Sequence, residues 1–140
     1  MNVLLVYPVF PDTYWSFKHA LAFEGKQAAF PPLGLMTVSS MLPEVWDRRL
    51  VDMNVTELSD NDIQWSDIVF ISAMIVQKTS LDDVVRRARA LGKRIAVGGP
   101  YVSTSSKAVP DADHIFVGEA ETTLPEFLRD LEISKKKSIY

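Results

Sequence analysis

Val3-Leu4-Leu5-Val6-Tyr7 is an unbroken apolar run stopped by Pro8, and a strand without polar alternation must be covered on both faces. Strands of that kind belong to parallel sheets, whose crossovers lay helices on either side. Four further segments read as strands: Arg49 to Met53, Ile68 to Ser72, Ile95 to Val97 and Ile115 to Val117. Helical patterns separate them. Leu33 to Leu42 carries helical spacing behind Pro31-Pro32, which suit a helix N-terminus, and Pro43 ends it. Ser80 to Leu91 places Leu81, Val84, Val85, Ala88 and Leu91 on one face, with Asp82 and Asp83 in the first turn and Arg86, Arg87 and Arg89 later. Thr122 to Leu131 gives a terminal helix with Leu124, Phe127, Leu128 and Leu131 at core spacing.

Strands alternating with helices predict an α/β fold, an open five-stranded parallel sheet in the flavodoxin-like (Rossmann-like) order 2-1-3-4-5 with helices on both faces. Such sheets bind ligands beyond the carboxyl ends of their strands, where the strand order reverses. The loops after the first, third, fourth and fifth strands are the ones rich in Gly, Pro and Ser, and all lie on that edge. Two strand ends stand out. The third closes on Ser72-Ala73-Met74 and the fourth on Gly98-Gly99-Pro100, leaving backbone exposed where a large flat ligand can approach. The plain structural reading is that Ser72 caps the following helix or ends a strand, and that Gly98-Gly99 is an ordinary turn. Rival ligands fail on residue type. A receiver domain needs an Asp after the third strand and a Lys after the fifth, where this chain has Ser72-Ala73 and Gly118-Glu119. Pro8-Val9-Phe10-Pro11 is no phosphate loop of a flavodoxin, and no Gly-x-Gly-x-x-Gly follows the first strand.

The 140 residues suit one domain with a single well-buried core. A net charge of −3, with cations scattered except for Lys135-Lys136-Lys137, offers no continuous basic face, so nucleic acid is not an expected partner. The absence of cysteine excludes disulfides, thiolate zinc sites, cysteine nucleophiles and iron–sulfur ligation within these residues. Met-Asn-Val-Leu-Leu-Val lacks the start of a secretion signal and no run reaches membrane-spanning length, so a cytoplasmic location without a transmembrane segment is expected.

The spacing of Ser72 and Gly98, a little over two dozen residues, resembles the Ser-x-Leu and Gly-Gly pair of cobalamin (B12)-binding domains, with Met74 in place of the Leu. Tyr7-Pro8, Phe30-Pro31-Pro32-Leu33-Gly34-Leu35, Val51-Asp52, Gly98-Gly99-Pro100 and Gly118-Glu119-Ala120-Glu121 are similar to features of the N-terminal domains of cobalamin-dependent radical SAM enzymes. The run from Tyr7-Pro8 through Pro11 to Ala20 and on to Gly34 looks most like the hopanoid C-2 methylase branch. The resemblance implies a cofactor site made from Leu33, from Ser72, Ala73, Met74 and Ile75, from Gly98, Gly99, Pro100 and Tyr101, and from Gly118, Glu119 and Ala120. It implies no catalytic residue and no metal ligand in this chain. Residues 1–133 would form the cobalamin-binding domain, and 134–140 the start of a linker to a radical SAM barrel. That barrel would bring S-adenosylmethionine and a 4Fe-4S cluster and generate the substrate radical, to which methylcobalamin held by this chain would transfer methyl.

The resemblance breaks at the first loop, where cobalamin mutases use Asp-x-His-x-x-Gly to place an imidazole under cobalt and Asp12-Thr13-Tyr14 has Tyr instead. His19 is the nearby substitute, though loop structure explains it as well, and His114 reads as structural. Glu119 and Glu121 fit capping of amides or contact with a ligand's polar groups better than acid–base catalysis. Trp15, Phe17, Phe23 and Phe30 either cover a ligand or pack on the domain, Lys18 and Lys26 are solvated, and Asp52 serves a structural bond. Two alternatives stay open: a cofactor-free interaction or substrate-docking domain, and the same domain in a magnesium-protoporphyrin monomethyl ester cyclase-type enzyme.

Overall fold

The structure, a computed structural model, describes residues 1–12, 31–105, 108–134 and 137–140. Tyr14, His19, the aromatic cluster from Trp15 to Phe30, Lys18 and Lys26 lie outside the described residues. The strands are β1 (Asn2–Tyr7), β2 (Asp47–Asp52), β3 (Ile68–Ser72), β4 (Arg94–Gly98) and β5 (His114–Ile115). They form one parallel sheet in the order β2-β1-β3-β4-β5, the flavodoxin-like arrangement.

Alternation along the strands divides the core in two. Leu4 and Val6 of β1, with Val69 and Ile71 of β3, face one cluster, while Val3, Leu5, Tyr7, Ile68 and Phe70 face the other. The first cluster is closed by α2 (Asp60–Trp65), α3 (Lys78–Ala90) and α4 (Pro100–Thr104), through Ile63, Leu81, Val84, Val85, Ala88, Tyr101 and Val102. The second is closed by α1 (Leu33–Met41) and α5 (Ala120–Glu132), through Leu35, Leu124 and Phe127. Helices therefore cover both faces, which is what the unbroken apolar run of β1 requires.

Several elements differ from the sequence expectation. β2 begins earlier, at Asp47, because an edge strand exposed to water accepts Asp47, Arg48 and Arg49 in a ladder that β1 already defines. β5 is two residues long rather than reaching Val117, although the Phe116 N–H still donates to the Val97 carbonyl at 2.9 Å. α3 starts at Lys78 behind a 3-10 turn at Ile75–Gln77, so Asp82 lies beyond the first turn and pairs with Lys78 one turn back. α2 carries a capping box, Ser59 with Asp62, and was not expected.

The end of the chain packs back on the domain. The Ile115 N–H donates to the Ser138 carbonyl at 2.7 Å, the Tyr140 N–H to the Ile115 carbonyl at 2.8 Å, and the Val117 N–H to the Tyr140 carbonyl at 2.8 Å. Tyr140 is buried, stacked on Phe116 with centroids 5.5 Å apart and set edge-on to Phe127. Ile139 forms an isolated parallel bridge with Ile115 of β5.

Candidate functional site at the carboxyl edge of the sheet

A cavity of about 670 Å³ opens at the carboxyl ends of β1, β3, β4 and β5, on the face covered by α1 and α5. Its position follows from the strand register. Ser72 and Gly98 are direct partners in the β3–β4 ladder, and by the two-residue period they point to the same face as Phe70 and Ala96. A hydroxymethyl group and a hydrogen stand there beyond a surface otherwise filled by Phe70, Phe116 and Phe127. That small pair opens the notch.

The two glycines differ in what holds them. A Cβ on Gly98 would meet the Phe116 Cβ at 3.5 Å and the Phe116 carbonyl oxygen at 4.0 Å, both ordinary contacts, so nothing in the fold demands glycine there. Gly99 has φ +93°, and a Cβ would lie 2.7 Å from Ser72 Oγ and 3.0 Å from both Ala73 N and Ala73 O. Its constraint is the β3 backbone and the chain reversal into α4, not a ligand. The Ala73 N–H donates to the Gly98 carbonyl at 3.3 Å, and the Tyr101 N–H to the Ala73 carbonyl at 3.1 Å. The β3 and β4 ends are thus stitched together.

Of the residues nominated from the sequence, Leu33, Ser72, Ala73, Met74, Gly98 and Gly99 line this cavity, and so do Pro100, Gly118, Glu119 and Ala120. Ile75 and Tyr101 do not. Ile75 points to solvent at the rim, 61% exposed. Tyr101 is buried in the cluster under α3 on the far face, because α4 turns its side chain inward. Ser72 ends its strand and caps no helix: α3 has Gln77 at its N-cap position without a side-chain cap bond. Glu119 occupies the N-cap position of α5, yet its side chain makes no capping bond, and Glu121 lies in the first turn. Both are exposed, so no desolvated acid–base pair is built here. Asp52 is structural, as expected: its Oδ1 accepts from the Asn54 backbone at 2.9 Å and the Asn54 amide at 2.7 Å. His114 packs edge-on to Phe127, with Nδ1 2.9 Å from the Lys137 carbonyl. Among the described residues, no group of three or more His, Cys, Asp or Glu side chains gathers to hold a metal ion.

Two residues that organise the site were not singled out. Ser103 Oγ donates to the Gly99 carbonyl at 3.0 Å and accepts from the Gly118 N–H at 3.0 Å, joining the β4 loop to the β5 loop. The signal was Pro100, a helix-start residue that puts Ser103 one turn after Gly99. Gln77 is fully buried: its Nε2 donates to the Pro8 carbonyl at 2.6 Å while its Oε1 accepts from the Met74 N–H at 2.8 Å. The pKa of the nearby Tyr7 phenol is raised, chiefly by burial and then by the Asp52 charge. A polar residue between Val76 and Lys78 gives no sequence sign of such burial.

The model of the B12-binding domain family matches residues 27–128, most of the chain, including the ends of β3, β4 and β5 at the cavity. This chain belongs to the B12-binding domain family. It is 41% identical over 134 residues to an uncharacterized methyltransferase of Synechocystis sp., covering 94% of this chain and 25% of that protein. It is 36% identical over 119 residues to the hopanoid C-2 methylase of Rhodopseudomonas palustris, covering 84% of this chain and 23% of that protein. This B12-binding domain thus spans about a quarter of the length of those curated relatives. Among solved structures, the N-terminal domain of a hypothetical protein of Thermotoga maritima aligns with 93% of this chain and 92% of its own, at 18% identity and a TM-score of 0.46. No helix among the described residues is long and apolar enough to cross a membrane.

Proposed function

We propose that this chain is the cobalamin-holding domain of a methyltransferase-type radical SAM enzyme, with the nucleotide tail of the cofactor seated in the cavity and the corrin over its mouth. The register pairing of Ser72 with Gly98 at a cavity wall carries the reading. A Cβ at Gly98 would point into the cavity without serving the fold, and Ser72 Oγ has no hydrogen-bond partner among the described residues. These are the features of a cradle shaped for something else. Leu33 and Met74, exposed apolar side chains lining the cavity, offer a surface on which a corrin face can rest. The first turns of α1 and α5, neither capped by a side chain, present backbone N–H groups to the phosphate or amide oxygens of such a ligand.

Bound cobalamin would supply a cobalt that carries and releases methyl. This chain's own residues would bind, orient and shield. The names of the two curated relatives, an uncharacterized methyltransferase and a hopanoid C-2 methylase, support methyl transfer. The radical SAM barrel, its 4Fe-4S cluster and S-adenosylmethionine belong to the same proposal through the family resemblance. The test is retention of hydroxocobalamin through gel filtration, read from the visible spectrum of the protein peak. The parent should retain it, and Gly98→Ala should retain at least about tenfold less at an unchanged melting temperature. A folded parent that retains none would favour the cofactor-free docking domain instead.

A further inference from the structure

We propose that Gln77 is a positioning residue for cofactor binding: its buried carboxamide ties the end of β1 to the end of β3, across the strand-order reversal, and so sets where the cavity-lining run Ser72-Ala73-Met74 stands. The inference rests on the cofactor reading above and adds to it a residue that lies behind the cavity wall. The 3-10 turn at Ile75–Gln77 is inverted in polarity. Ile75 and Val76 are 61% and 55% exposed, while Gln77 is fully buried. Apolar burial would drive such a turn the other way, so hydrophobic packing does not hold it. Two hydrogen bonds do. Gln77 Nε2 donates to the Pro8 carbonyl at 2.6 Å, and Gln77 Oε1 accepts from the Met74 N–H at 2.8 Å. Both backbone groups lie beyond the β1–β3 ladder, which stops at Val6 and Ile71, so the carboxamide takes over where strand pairing ends.

Other side chains fasten the same loop to other elements. The Val9 N–H donates to Ser80 Oγ of α3 at 3.1 Å and the Phe10 N–H to Asn54 Oδ1 at 2.9 Å, while Asn54 Nδ2 donates to the Pro8 carbonyl at 3.3 Å. Gln77 carries this bracing across to Met74. On the cavity side, Tyr7 directly precedes Pro8, and Tyr7, Ser72, Ala73 and Met74 all line the wall. Without the carboxamide, the Pro8 carbonyl keeps only the longer Asn54 bond and the Met74 N–H loses its acceptor. The two strand ends can then drift apart at the cavity, while both core clusters behind them keep their packing.

Gln77→Met tests this, because it keeps the length of the side chain and removes both bonds. The control is Ile63→Ala, a truncation in the core cluster on the face away from the cavity. In equilibrium dialysis with hydroxocobalamin, well below each melting temperature, Gln77→Met should bind at least about tenfold more weakly than the parent, the effect of one lost buried hydrogen bond. Ile63→Ala should bind like the parent despite its lower melting temperature. At saturating cofactor, the induced circular dichroism of the corrin bands should change in Gln77→Met and not in Ile63→Ala, a signature that lost stability alone does not move. In the unmodified, ligand-free protein the Met74 amide should exchange slowly with solvent. Exchange there at the rate of an open amide means no brace and overturns the inference, whatever the fate of the variant. Binding by Gln77→Met within about twofold of the parent, with the parent's dichroism, overturns it and leaves the cofactor reading standing. An equal loss in Ile63→Ala reduces the effect to stability and overturns it too. A parent that binds no hydroxocobalamin overturns the cofactor reading and this inference with it.

Discussion

Gly98 and Gly99 are neighbours in the chain under different constraints, and mutation should separate them. A sequence reading treats the pair as one feature whose Cβ atoms would invade ligand volume or strain the backbone. Only Gly98 fits the first description and only Gly99 the second. Gly99→Ala should destabilise the fold by about 1–3 kcal/mol, seen as a lower denaturation midpoint, because a Cβ at positive φ collides with the β3 backbone. Gly98→Ala should leave that midpoint unchanged or raise it slightly, since glycine weakens a strand. Ser72→Ala should weaken hydroxocobalamin binding several-fold through loss of one hydrogen bond worth roughly 0.5–1.5 kcal/mol, with stability unaffected. A variant binding as tightly as the parent would return Ser72 to a purely structural role. Tyr7 gives a pH signature. Its folded pKa lies above the ordinary value of 10.0, so the unfolded chain loses the proton first. The contribution to stability is full below about pH 10 and declines as the pH rises toward the folded value. Tyr7→Phe should make the alkaline decline measurably shallower. The small residues and their spacing were legible because glycine and serine at strand ends are conspicuous. Gln77 was not, since its burial depends on the Pro8 carbonyl, nearly seventy positions away, arriving over it.

Among the elements, the terminal segment departs furthest from its sequence. Ser134 to Ser138 is polar and basic and reads as a linker, and two apolar residues after it show no periodicity. Tertiary structure decides otherwise: Tyr140 fills a box made by His114, Phe116 and Phe127, and Lys137 pairs with Glu126 on α5 at 2.6 Å. Phe116 also lines the cavity, so this segment supports a wall of the site. Tyr140→Ala should cost about 3 kcal/mol by urea denaturation, as expected for removing a buried aromatic ring. A change below about 0.5 kcal/mol would show that the segment is only laid against the domain. α4 was missed because five residues are too few for a hydrophobic period, although Pro100 marked its first turn. β2 was read two residues late because its polar start faces water at the sheet edge. β1, β3 and α3 were legible because burial on both faces, or on one helical stripe, dictates composition directly.

For the molecule as a whole, five short strands with helices between them left few topologies, and the observed order places the β1–β3 reversal beside the cavity. Site location followed from that order; site chemistry did not, because the lining is assembled only once α1 and α5 close over the sheet. The central claim is that the nucleotide base of cobalamin leaves cobalt and enters the cavity between Ser72, Gly98 and the two helices. Electron paramagnetic resonance of the bound Co(II) form tests it most directly, since an axial nitrogen splits each cobalt line into a triplet. Free Co(II) cobalamin at neutral pH, with its own base coordinated, should show those triplets, and the protein-bound form should show none. Triplets that persist in the bound form of both the parent and His19→Ala would mean that the base has stayed on the metal and outside the cavity, contradicting the account.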